Sequence, residues 1–151
     1  MIAKHVPIRS VKKSDFAHLA EYITSSQNKN ERVGEIAITN CASSTLKAAI
    51  NETLATQQLN TRAKSDKTYH LIVSFPPGEV PSSKTLKDIE SRVCEGLGFE
   101  EHQRISAVHH DTDILHVHIA INKIHPVKLT IHEPYYSHRT LGELCTELEV
   151  K

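Results

Sequence analysis

Between positions 109 and 118 the chain reads HHDTDILHVH, four histidines and two aspartates in ten residues. Imidazole is the commonest protein ligand for divalent transition metals and also a proton acceptor near neutral pH. The chemistry on offer therefore depends on how many of these rings meet on one surface. In a strand, alternate side chains share a face. His116, His118, Ala120 and Asn122 then point one way, and Val117, Ile119 and Ile121 point the other. A two-residue turn at Thr112-Asp113 sets Asp111 opposite Ile114 and His109 opposite His116, with directly opposed β-carbons about 5 Å apart. His109, His116 and His118 then form a three-imidazole metal site with positions left open for substrate. Asp111 and Asp113 lie near enough in sequence to orient imidazole N–H groups. A three-residue loop would turn His109 to the opposite face. Exposed strand histidines that bind nothing are the alternative.

A nucleophile is the second requirement. Of the four tyrosines, Tyr69 alternates with Leu71, Val73 and Phe75 and belongs to a core, while Tyr135 and Tyr136 follow Pro134 in a loop. Tyr22 borders the apolar stripe of a helix, where a phenol can stay accessible; this leaves it one candidate among several, with a partly buried packing tyrosine as the default.

The elements that must position these groups follow from hydrophobic periodicity. Residues 2–9 form a short strand weakened by Pro7. Ser14 caps a helix to about Ile23, with Phe16, Leu19, Ala20 and Ile23 at i, i+3, i+4 and i+7. A polar loop over 25–31 leads to a strand over 33–38. Ser44 caps a second helix that carries Leu46, Ala49, Ile50 and Leu54, and residues 57–67 are polar and exposed. A strong strand over 68–75 ends at PPGEVP. Leu86, Ile89, Val93 and Leu97 mark a third helix after Ser83, ending at Gly96 and Gly98. The histidine hairpin follows, then a last helix over about 137–148. The order β-α-β-α-β-α-β-β-α predicts an α+β domain, a largely antiparallel sheet with helices packed on one face.

Length and composition narrow the classes. The 151 residues suit one domain, spanning 1–151. Hydrophobic residues at 38% and charged ones at 24% fit a globular chain, and no run of apolar residues is long enough for a membrane span. The N-terminus lacks a signal-peptide pattern, which permits a cytoplasmic location. Cys41, Cys94 and Cys145 are scattered and odd in number, so free thiols are expected. A formal net charge of zero gives no broad basic footprint for nucleic acid. Basic residues crowd the start, at Lys4, Arg9, Lys12 and Lys13, and acidic ones the end, at Glu143, Glu147 and Glu149.

Three segments, SDFAHLAEYI with Tyr22, KTYHLIVSF with Ser74, and HHDTDILHVHIAINK, resemble in order and spacing the three motifs of conjugative DNA relaxases. These belong to the nucleases named for a histidine–hydrophobic–histidine signature, here His116-Val117-His118. The likeness is to the P-type mobilization branch, and within it to relaxases of IncP-type plasmids, and it runs across nearly the whole chain. It implies a palm-like sheet with a central histidine-bearing hairpin. It implies that Tyr22 attacks a scissile phosphate at a plasmid transfer origin, leaving a 5′-phosphotyrosyl link and a free 3′-hydroxyl. His109, His116 and His118 would hold a divalent ion, Asp111 would support them, and Ser74 would help to position DNA near the nick. His116 is the usual proton acceptor of the branch, yet one nitrogen cannot hold a metal and accept a proton. The family implies Mg or Mn, whereas three imidazoles suit Zn, Ni or Co by ligand type.

The partners implied are single-stranded DNA at the origin, accessory relaxosome proteins and the coupling protein of a type IV secretion apparatus. Lys12, Lys13, Arg62, Lys67 and Lys123 are candidate phosphate contacts. Relaxases are usually longer, so a fragment truncated at the C-terminus is expected. Two alternatives remain: a rolling-circle replication initiator, whose nucleophile normally follows the histidine pair, and an origin-binding module that does not cut.

Overall fold

The computed structural model describes residues 1–7, 16–25, 31–111, 114–135 and 137–150. Five strands and four helices alternate as β1 (Ile2–Val6), α1 (Phe16–Thr24), β2 (Glu31–Thr39), α2 (Leu46–Leu59), β3 (Thr68–Ser74), α3 (Ser83–Gly96), β4 (Arg104–Asp111), β5 (Ile114–Asn122) and α4 (Ser137–Val150). The strands form one sheet in the order β1-β3-β5-β4-β2, and every pairing is antiparallel. β5 is therefore the middle strand, hydrogen-bonded on both sides. Its sequence ILHVHIAIN is rich in β-branched residues, as a central strand requires.

The α+β class and the antiparallel sheet follow the expectation; the one-sided cover does not. Helices lie on both faces. On one face Tyr69, Leu71 and Val73 of β3 and Val117, Ile119 and Ile121 of β5 pack with Leu86 and Val93 of α3 and Leu141 of α4. On the other, Ile105 and Ala107 of β4 and Ala120 of β5 pack with Phe16, Ala20 and Ile23 of α1 and Ala49 and Ile50 of α2. The alanines are small, so a strand pattern built on them reads as weakly apolar although the face is covered.

Local chemistry ends the helices. Thr45, rather than Ser44, caps α2, its Oγ1 accepting from Ala48 N at 3.3 Å. Ser82 caps α3, accepting from Thr85 N at 3.2 Å. Past α3 the chain turns at Gly98, whose φ of 89° is a left-handed conformation that favours glycine. The Ser14 cap falls outside the described residues. Residues 57–67 are exposed over most of their length, as expected, but Gln57 and Asn60 are buried. Gln57 Nε2 donates to Thr68 Oγ1 and Asn122 Oδ1, which fastens α2 across β3 and β5. Between α3 and β4 a buried ion pair joins Glu90 Oε2 to Arg104 Nε at 2.8 Å. No helix of the described residues is long and apolar enough to cross a membrane, and all three cysteines are free.

Candidate active site

The strand pairing that a two-residue turn demands is the one found. Asp111 pairs with Ile114, His110 with Leu115 and His109 with His116; Thr112 and Asp113 themselves lie outside the described residues. His109, His116 and His118 consequently share the face of the sheet covered by α1. The His109 and His118 ring centroids are 4.2 Å apart, and those of His116 and His118 are 6.3 Å apart. His109 and His118 are buried and His116 is half-buried. His110 points to the other face and is exposed.

α1 docks on this group through Phe16, Ala20 and Ile23, at i, i+4 and i+7, each fully buried. Ile23 O lies within hydrogen-bond distance of His109 Nε2, at 2.5 Å, so His109 donates to the backbone of this helix. The adjacent residue, Tyr22, is 59% exposed. One turn of helix thus anchors an imidazole of the trio and presents a phenol to solvent.

β3 supports the opposite side. Ser74 is paired with His116, and its Oγ lies 2.8 Å from His116 Nδ1. His70 Nε2 lies 3.2 Å from His118 Nδ1. Burial, followed by the neighbouring His109, His70 and His116, pulls the His118 pKa down to about 3. Burial, with His5 and His109 nearby, pulls His70 down to about 4. Both rings are accordingly neutral at pH 7. His70 was not singled out in the sequence, although alternation puts it on the face of Ser74, with Ile72 between them.

The trio fits a metal in donor type, and less well in pose. Ser74 and His70 occupy the Nδ1 atoms of His116 and His118, a common way of presenting Nε2 to a metal. His109 Nε2 is instead turned to the Ile23 carbonyl. Among the described residues no three His, Cys, Asp or Glu side chains form a metal-holding group. The Asp111 side chain is outside the described set, while its backbone closes the β4–β5 ladder.

The candidate phosphate contacts fare unequally. Lys67 Nζ donates to Gln57 O at 2.8 Å and Asn60 O at 2.6 Å, closing the C-terminal end of α2. Lys123 is buried and its ammonium is paired with Glu133 at 3.2 Å. These two cations are engaged in the fold, for which the sequence offered no sign. Arg62 is exposed and lines a groove of about 470 Å³ together with Lys128. Lys12 and Lys13 lie outside the described residues.

A central hairpin carrying His-hydrophobic-His opposite a third histidine, beside a helix with an exposed tyrosine, is the layout of the histidine–hydrophobic–histidine nuclease class. Comparison with known proteins agrees. Residues 22–151 match the MobA/VirD2-like nuclease domain of relaxases, and the chain belongs to that family. It is 66% and 63% identical to two proteins named TraI from Escherichia coli, each over 149 residues, 99% of this chain. It is 38% identical over 78 residues, 52% of this chain, to Protein MobA of Acidithiobacillus ferrooxidans, covering 19% of that protein. The chain spans 20% of the length of either TraI protein.

Proposed function

We propose that this chain is the catalytic domain of a site- and strand-specific DNA nickase that starts conjugative transfer at a plasmid origin. The observation that carries the reading is the junction of α1 with the histidine face: Ile23 is bonded to His109, and its neighbour Tyr22 is exposed. Membership of the relaxase family supports the same reading.

In this mechanism the Tyr22 oxygen attacks the scissile phosphorus of a single strand. The P–O3′ bond breaks, the 3′-oxygen leaves and takes a proton, and the 5′-phosphate stays on tyrosine. The bond energy is held in the phosphotyrosyl ester, so the strand can be rejoined by the reverse attack. His109, His116 and His118 would hold a divalent cation, Mg or Mn by family habit. When bound, it would neutralise charge on the phosphate oxygens in the transition state. His109 would join that site only in a ring pose other than the one bonded to the Ile23 carbonyl. His116 has Nδ1 engaged with Ser74 and one further nitrogen, available either to the ion or to the phenolic proton. Ser74 acts by fixing the His116 ring, and Asp111 lies at the end of the same hairpin. Arg62, with Lys12 and Lys13, contacts DNA phosphates, whereas Lys67 and Lys123 serve the fold.

The substrate is single-stranded at the nick, in the cytoplasm. Accessory relaxosome proteins and a coupling protein are its proposed partners. A labelled oligonucleotide bearing the cognate transfer origin, incubated with Mn or Mg, tests the proposal. Nicking with a protein–DNA adduct is expected from the native chain, and neither from Tyr22→Phe. Binding without cleavage would reduce the chain to an origin-binding module.

A further inference from the structure

His70 has no part in the reaction just described, yet its position on β3 is distinctive. β3 runs beside β5 in a register that pairs Ser74 with His116 and Ile72 with His118. Ser74 therefore sits directly across from its histidine, and a short hydroxyl side chain spans the gap to Nδ1 at 2.8 Å. His70 sits diagonally from His118, two residues along from the direct partner. Diagonal neighbours are about 7–8 Å apart at the backbone, reachable only by long or aromatic side chains. An imidazole covers that distance and brings Nε2 to within 3.2 Å of His118 Nδ1. The two ring centroids are 5.4 Å apart, and both side chains are buried. β3 thus supplies both β5 histidines with a hydrogen-bond partner at the same ring atom, by two different side chains chosen by reach.

Two imidazoles joined nitrogen to nitrogen hold one proton between the facing atoms. We propose that His70 is a positioning residue that accepts this proton bond, keeping His118 protonated on Nδ1 with its lone pair on Nε2. That tautomer is the one able to present Nε2 to a divalent cation. The inference rests on the nickase reading for its purpose, but the tautomer itself is a property of the metal-free chain. Orientation of a ligating histidine by an outer partner commonly changes metal affinity by about 10- to 100-fold.

The test uses the chain with ¹⁵N-labelled histidine, in three forms: native, His70→Gln, whose amide oxygen can reach to accept the same bond, and His70→Leu, which cannot. Long-range ¹H–¹⁵N spectra report which His118 nitrogen bears the proton, and calorimetry with Mn alone reports binding. The native chain and His70→Gln should show His118 protonated on Nδ1. His70→Leu should shift the proton towards Nε2 and weaken Mn about 10- to 100-fold, with β5 amide resonances confirming that the sheet is intact. A native His118 protonated on Nε2 overturns the inference without any variant. So does a His70→Leu chain that keeps both tautomer and Mn affinity. If the native chain instead shows the Nδ1 tautomer but forms no tyrosine adduct, the nickase reading fails and the positioning contact stands.

Discussion

Adjacent residues on α1 divide structure from chemistry, and substituting each in turn separates the two. Ile23 is fully buried between α1 and the sheet, in the cluster with Ala107 and Ala120. Ile23→Ala removes three carbons, about 0.8 kcal/mol each as transfer out of water, or about 2.4 kcal/mol before any cavity remains. Incomplete collapse around the smaller side chain adds to this, and about 3 kcal/mol is expected, within the range for buried isoleucine truncations. For a domain of this size each kcal/mol lowers Tm by about 2–4 °C, so a fall of roughly 6–12 °C should appear in thermal unfolding. Urea titration should move the midpoint with little change in slope. Tyr22→Phe removes only a hydroxyl from an exposed ring and should leave Tm within about 2 °C, a surface-sized effect. Adduct formation should reverse the ranking. Tyr22→Phe abolishes it, whereas folded Ile23→Ala retains a reduced rate because the seat of α1 against His109 has loosened. An Ile23→Ala cost below about 1 kcal/mol would mean that α1 is not docked as described. A Tyr22→Phe chain destabilised as much as Ile23→Ala would make the tyrosine a packing residue and refute the division.

Ser74→Ala should lower the nicking rate about tenfold, as expected for one lost hydrogen bond of roughly 1.4 kcal/mol, with Tm nearly unchanged; an unaltered rate would remove Ser74 from the site. Glu90→Ala strands the buried Arg104 guanidinium and should cost about 3–5 kcal/mol in urea unfolding. The double change Glu90→Leu, Arg104→Met should recover much of that loss, and additive costs would contradict the pairing. Burial raises the Cys41 pKa to about 11 and the Cys94 pKa to about 12. Since the thiolate is the reactive form, both should resist a disulfide reagent at pH 8 in the native chain and react in denaturant. Cys41 should begin to react first as pH rises. Fast native labelling of Cys94 would show that the α3 side of the core is open.

The hairpin register was legible because a side-chain period of two and a two-residue turn leave a single way to align His109 with His116. The helix carrying Tyr22 was legible for a similar reason, since its 3.6-residue stripe is unbroken. Cover on both faces was harder to read, because Ala107, Ala120 and Ala20 form a buried seam with little hydrophobic signal. Nothing in the sequence marks His70, because its partner is 48 residues away and the diagonal contact exists only once β3 and β5 are paired. Lys67 and Lys123 looked like phosphate contacts because a sequence displays charge without its intramolecular partners. Carbonyls at the end of α2 and the Glu133 carboxylate engage them in the fold.

Covalent chemistry at one phenol is the claim on which the account turns, and mass spectrometry addresses it directly. The native chain is incubated with Mn and an origin oligonucleotide, then digested with protease and nuclease. The account predicts a phosphonucleotide mass on the peptide containing Tyr22, and on no other. A mass on the exposed Tyr135 instead, or cleaved DNA with no protein-bound phosphate, would contradict it.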